Sequence, residues 1–325
     1  MAILYPLKFQ PIFKERVWGA RNLERLYRKS LPPHVPIGES WEITDRPGDV
    51  SVIGNGPLAG RDLRWLMENH ARDLLGDAAA LKGRFPLLIK ILDAQDTLSL
   101  QVHPPADKAA ELKGEPKTEM WFITEAQPDA ALFVGLRRGV ARAEFERRIG
   151  DGTVAKCFHR HGVKVGDAMF LPSGRVHAIG AGNVIFEIQQ NSDTTYRVFD
   201  WNRVGLDGKP RELHIPQSLA SIDFNDFEPP LESRDSERCG DATVRPVAKC
   251  PLFNVEQIGL AAAKSFQLAA QTMHILGVVS GEISVEAGGE SPVLRAGEFC
   301  LVPASVAAQV KARADASFLR AEAGR

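Results

Sequence analysis

The sequence predicts a mainly β protein, a sandwich or closed barrel with a few inserted helices, followed by a second and smaller β-unit. Three observations carry that expectation. Short apolar or alternating runs of strand length recur along the chain. Turn residues separate them, as at Gly166-Asp167, Pro172-Ser173-Gly174 and Asp207-Gly208. A stretch at 226–241, rich in Pro, Glu, Ser, Arg and Asp, reads as a linker between one series of strands and the next.

The elements follow in order. Residues 62–75 (DLRWLMENHARDLL) place Leu63, Leu66, His70 and Leu74 at helical spacing, and Gly76 is a natural stop. Residues 87–92 (LLIKIL) read as a buried strand. Over 97–103 the pattern alternates: Leu98, Leu100 and Val102 point one way, Ser99, Gln101 and His103 the other. A helix is expected after Pro104-Pro105, ending by Gly114. A third strand covers 119–124, a weaker helix 142–149, and further strands 168–171, 184–190 and 196–201. Beyond the linker, 274–302 again reads as strands and turns. Residues 1–225 are therefore expected to form the larger domain and 242–325 the smaller. No repeat of solenoid length interrupts this plan.

The chain has 325 residues, 40 basic and 41 acidic, for a net charge of -1. A chain this long buries roughly 75% of its unfolded surface, enough for a large core. Without Lys/Arg runs, nucleic-acid and membrane partners are disfavoured, and any bound anion should be small. Cys157, Cys239, Cys250 and Cys300 form no CxxC pair and are expected to be reduced thiols. The start, MAILYPLKFQ, lacks a basic region followed by a long apolar stretch, so a cytoplasmic location is expected.

The chemistry concentrates in three places. Gln101 and His103 share the polar face of one strand, and such a pair inside a small barrel is costly unless something satisfies it. Glu119 opens another strand 16 residues later, and His177 follows in GDAMFLPSGRVHAIGAGN. Two histidines and a glutamate make a three-ligand set that leaves zinc an open position, and Gln101 could add a neutral oxygen. Gly166 to His177 reads G-x5-P-x-G-x2-H, the second half of a cupin signature. Gln101 to Glu119 supplies the first half, with Gln-x-His where many cupins have His-x-His. The fold expected is then a cupin-type β-barrel (jelly roll). The second β-unit has cupin-like turns but no His/Glu set, and reads as a degenerate, non-catalytic cupin-like domain. His159-Arg160-His161 lies amid Lys156 and Lys164 and reads as solvated strand-end residues. His70 fits a helix face, and His34, His214 and His274 have no partner pattern.

The residues around these positions resemble the short bacterial type of class I mannose-6-phosphate isomerase (phosphomannose isomerase). The resemblance is carried by VWGA around Trp18, GESWEI at 38–43, FPLLIKILDA at 85–94 and LSLQVHP at 98–104. PKTEMWFI at 116–123, LPSGRVHAIGAG at 171–182 and EIQQNSDTTYRVFDWNR at 187–203 extend it, so that it covers most of residues 1–220. It implies one zinc per chain, held by Gln101, His103, Glu119 and His177, with a catalytic arginine at Arg197 and an active-site lysine at Lys117. It also implies a small sugar phosphate as substrate. Two departures touch no expected ligand: Ala20 where the family often has a second Gly, and Pro116 where a Gly is common before Lys-Thr-Glu.

An aldose–ketose isomerase moves a proton between adjacent carbons through an enediol or enediolate. Zinc can polarise the carbonyl, and a permanently charged arginine can support the developing oxygen charge. For the base, Glu187 lies on a strand whose other face carries Val184, Phe186 and Ile188; Glu42 is a second candidate. Arg16, Lys108 and Arg203 are candidates for the phosphate, and an ion pair of Arg197 with Asp193 or Asp200 is the bland alternative to catalysis. Two other functions fit parts of the pattern: an iron-dependent cupin oxygenase, since the ligands also suit iron(II), and a non-enzymatic sugar-binding cupin.

Overall fold

The structure, a computed structural model, describes residues 4–80 and 83–324. Two antiparallel sheets form the first unit. One has six strands in the spatial order Ile12–Ala20, Ile37–Ile43, Leu87–Ala94, Asn183–Gln190, Glu119–Ala126 and Ala168–Leu171. The other has five, in the order Tyr196–Phe199, Leu100–Val102, His177–Ile179, Ala131–Leu136 and Phe158–Gly162. Leu92, Trp121, Ile123 and Ile185 of the first pack against Leu132, Val134 and Ile179 of the second, closing a cupin-type barrel.

The six-stranded sheet is buried on both faces, and this explains its near-continuous apolar runs. Ile89, Ile91, Met120, Phe122, Val184, Phe186 and Ile188 point out of the barrel and form a core with Phe253, Val255, Ile275, Phe299, Leu319 and Ala321. The alternate residues Lys90, Glu119, Trp121 and Glu187 therefore point into the barrel.

The second unit repeats the two-sheet plan on a smaller scale. Its six strands run Glu237–Cys239, Ala242–Lys249, Phe253–Leu260, Ala316–Ala323, His274–Ser280 and Phe299–Val302. Its four run Ser265–Leu268, Ala308–Ala312, Glu282–Glu286 and Val293–Arg295. Leu276, Val278, Ile283, Val285, Leu294, Cys300, Val310 and Phe318 fill the space between them. The N-terminal segment belongs to this contact too: Leu7 exchanges backbone hydrogen bonds of 2.8 and 2.9 Å with Leu301. The stretch 226–241, expected as a linker, carries its own structure. Phe227 bridges Leu136, and Glu237–Cys239 pairs with Ala242–Lys249.

The helix expected over 62–75 is Leu63–Leu75; Asp62 caps it by accepting the Trp65 N–H at 2.7 Å, and Gly76 ends it with φ +61°. His70 departs from helical dihedrals, so the expected apolar face is interrupted there. The helix at 142–149 is Arg142–Gly150. The one after Pro105 is shorter than expected, only Ala106–Ala109, because the chain turns through Lys113 at φ +56°. Short helices Asn22–Tyr27 and Ile215–Ser221 and the strands Ile12–Ala20, Ile37–Ile43, Ala131–Leu136 and Phe158–Gly162 were not anticipated from the pattern. All four cysteines are free. No described helix is long and apolar enough to cross a membrane.

Candidate active site

Strand register places the candidate residues in two rows. On the five-stranded sheet Gln101 lies between His177 on one neighbouring strand and Arg197 on the other. On the six-stranded sheet Glu187 lies between Lys90 and Trp121, and Gln189 pairs with Glu119. Across the barrel, His103 Nε2 comes within 3.5 Å of Glu119 Oε2, and His177 Nε2 within 3.4 Å of Glu119 Oε1. The two imidazole rings sit 4.8 Å apart between centroids, and Trp121 packs edge-on against His177. All three residues are buried.

Each histidine is oriented from behind. His103 Nδ1 donates to the Thr194 carbonyl at 2.8 Å and His177 Nδ1 to the Arg175 carbonyl at 2.9 Å. A carbonyl only accepts, so each Nε2 is left with its lone pair facing the Glu119 carboxylate. Burial, then the Lys117 charge, lowers His103 from 6.5 to about 3, and burial lowers His177 as well, so both rings are neutral. Burial alone would raise Glu119, but the Lys117 charge outweighs it and holds the carboxyl well below the usual carboxylate range. His103 Nε2 and both Glu119 oxygens have no hydrogen bond.

Lone pairs facing a carboxylate in a buried site call for a cation between them. Two ligand atoms each about 2.1 Å from one zinc at the tetrahedral angle lie roughly 3.4 Å apart, which the two His–Glu separations match. The Gln101 amide reaches His177 Nε2 at 3.2 Å, and turning it over would present Oε1 to the same point. His103, Glu119 and His177 are the one set of three such ligand atoms within 4.8 Å of one another among the described residues. The residues fit a metal.

A cavity of about 610 Å³ opens beside this set, and Gln101, Lys117 and Trp121, which touch the set, line it. Lys117 Nζ lies 3.2 Å from Glu119 Oε2. Burial would pull Lys117 down, yet Glu119, Glu187 and Asp193 outweigh it and hold the ammonium above its ordinary value. Glu187 also lines the cavity; it accepts from Trp121 Nε1 at 2.9 Å and pairs with Lys90 at 3.3 Å. Burial, then the Glu119 charge, raises its carboxyl above the ordinary value.

Arg197 lines the cavity with its Nε buried and without a hydrogen bond, while a terminal guanidinium nitrogen donates to the Glu212 carbonyl at 2.8 Å. The ion-pair alternative is not realised: Asp200 is taken by Arg211 at 2.6 Å and Arg203 at 3.0 Å, and Asp193 lies near Lys90 at 4.0 Å.

Three sequence expectations change. Glu42 faces away from the cavity, pairing with Lys29 at 2.7 Å, because strand alternation sends Glu39 inward in its place. Lys108 donates to the Ala220 carbonyl and Arg203 pairs with Asp96 and Asp200, so neither lines the cavity, whereas Arg16 does. His159 and His161 are half-buried on the edge strand Phe158–Gly162 with their rings 4.3 Å apart, not fully solvated. The sequence reading also missed Lys90, Glu39 and His214. Lys90 joins Glu39 to Glu187, and His214 Nδ1 accepts the Arg197 N–H at 3.2 Å. A lysine within an otherwise apolar run was the available signal, since a buried ammonium demands a counter-charge, though the run does not say to which side it points.

Known proteins share this arrangement of sequence and fold. The family profile for phosphomannose isomerase type I, catalytic domain, matches residues 6–121. Mannose-6-phosphate isomerase ManA of Bacillus subtilis (strain 168) is 36% identical over 92% of this chain and 93% of its own. A mannose-6-phosphate isomerase of Streptococcus mutans is 34% identical over 93% of each chain. The crystal structure of the mannose 6-phosphate isomerase from Bacillus subtilis superposes with a TM-score of 0.88 at 28% identity, covering 98% of this chain and 99% of that one. A phosphomannose isomerase variant from Salmonella typhimurium, 18% identical, shares the fold with a TM-score of 0.78 over 99% and 100% of the chains. Family and buried His–Glu–His set together support a metal cofactor. Matched along nearly its whole length in sequence and in fold, the chain belongs to the phosphomannose isomerase type I family and is an enzyme.

Proposed function

We propose that this enzyme interconverts mannose 6-phosphate and fructose 6-phosphate, with one zinc held by His103, Glu119, His177 and Gln101. The observation that supports it most is the convergence of a cation-demanding His–Glu–His set and three further ionisable side chains on one cavity, in a chain of this family. In this reading residues 1–225 carry the chemistry and 242–325 form a non-catalytic β-unit.

When bound, zinc would act as a Lewis acid toward the sugar carbonyl. The chain's own groups do the rest. Glu187, raised by burial and anchored by Trp121 and Lys90, is suited to take a carbon-bound proton and return it to the neighbouring carbon. Arg197 keeps its charge at any working pH and supports the negative oxygen of the enediolate. Lys117, held protonated by Glu119, can donate a hydrogen bond to a substrate oxygen in the same cavity.

The test is a coupled assay on mannose 6-phosphate together with metal analysis. Chelator-treated protein should lose activity and regain it with zinc, and His103→Ala and His177→Ala should bind far less zinc. Full activity in metal-free protein would refute the proposal.

A further inference from the structure

His177 sits at the end of a turn that the rest of the barrel grips tightly. The Gly174 N–H donates to the His103 carbonyl at 2.9 Å, and the Arg175 carbonyl accepts from His177 Nδ1. One turn thus holds the backbone of one candidate ligand and the ring of the other. Arg175 is fixed in turn by Asp226. Its Nε donates to Asp226 Oδ2 at 2.8 Å and a terminal nitrogen to Asp226 Oδ1 at 2.9 Å, while the other terminal nitrogen donates to the Phe170 carbonyl at 2.7 Å. The two side chains are each only 16% exposed. Asp226 is itself anchored, since its carbonyl accepts the Leu136 N–H at 2.9 Å and the Asp223 N–H donates to the Gly174 carbonyl at 2.9 Å.

We propose that Asp226, through its bidentate pair with Arg175, is a positioning residue for the metal site, fixing the carbonyl that orients the His177 ring. This rests on the reading of His177 as a ligand. Asp226 touches neither His177 nor the cavity; it acts by denying Arg175, and so its carbonyl, any other position. A bidentate guanidinium–carboxylate pair is directional, and the fork leaves one geometry for the turn. Outer partners of a metal-binding histidine typically govern metal affinity by about 10–100-fold. The group bonded to Nδ1 selects the tautomer that leaves Nε2 free.

Zinc affinity of the full chain, measured by competition with a chromophoric chelator, tests this, with the absorption spectrum of the cobalt(II)-loaded protein as a second readout. Asp226→Asn should weaken zinc binding about 10–100-fold and alter the cobalt spectrum. Asp226→Glu, which keeps the carboxylate, should recover part of the affinity. Glu256→Gln, which breaks the pair with Arg320 in the second unit, should lower the melting temperature yet leave zinc affinity unchanged. Loss of zinc in His177→Ala with wild-type affinity in Asp226→Asn would overturn the role of Asp226. Wild-type affinity in both would overturn the ligand reading of His177, and the role of Asp226 with it.

Discussion

Arg197 has a role that its neighbours decide. Its Nε is buried and unbonded at the cavity wall, and the carboxylates that might have occupied it are engaged elsewhere. Burial, then the nearby Arg211 charge, lowers its pKa, so the position is electrostatically costly and calls for an anionic partner. If that partner is the enediolate oxygen, the interaction exists mainly in the transition state. Arg197→Ala should then lower kcat about 10²–10³-fold with KM little changed. Arg197→Lys should also fail, since a compact ammonium cannot replace the planar fork. Steady-state kinetics with zinc content and melting temperature as controls decide it; a folded, zinc-loaded variant with wild-type kcat would remove Arg197 from the chemistry. A raised KM alone would move it to substrate binding.

Strands made much of the site legible, and their alternation explains what was misread. Gln101 and His103 were visible because polar residues share one face of an alternating run, and Glu119 and His177 because signature spacing framed them. Lys90 was hidden because a strand buried on both faces shows no alternation, so one charge among LLIKIL carries no stated direction. Glu42 was a candidate and Glu39 was not, yet they stand three positions apart on one strand, an odd step that puts them on opposite faces. The same strands support a pH prediction. Glu39 is buried between Lys90 at 3.9 Å, Arg16 at 2.8 Å and the Trp41 indole at 2.6 Å. Burial alone would raise it, but Lys90 and Arg16 lower it from 4.5 to about 2. Between those values the unfolded chain takes up a proton that the folded chain does not, so stability falls as pH drops through that window. The advantage of wild type over Glu39→Gln should be fully present at pH 6, at most roughly 3 kcal/mol, and should vanish toward pH 2. Urea unfolding across this range checks it, and a difference independent of pH would refute it.

The whole molecule pairs a barrel that needs a cation with one filled mainly by apolar side chains. The outward face of the catalytic sheet is buried against the second unit, with Phe186 and Phe299 at 4.9 Å between centroids, so the second unit serves as a packing partner. That contact was not legible in the sequence, because it pairs residues more than a hundred positions apart with no pattern linking them. The interior of the second unit is packed with apolar side chains, among them Leu276, Val278, Val285 and Phe318. Its single histidine, His274, shares the inward parity of Leu276 and Val278. Its Nε2 lies 3.1 Å from the Ala269 carbonyl, while Nδ1, without a hydrogen bond, lies 3.1 Å from the single carboxylate of Glu322. One carboxylate and one histidine make too few ligands for a tight zinc site, which takes three or four. The expected content is therefore one tightly bound metal per chain, measured by elemental analysis after exhaustive dialysis. It should fall toward zero in His103→Ala and stay at one in His274→Ala. Two metals per chain, with the second lost on His274→Ala, would show that the second barrel retains a site of its own.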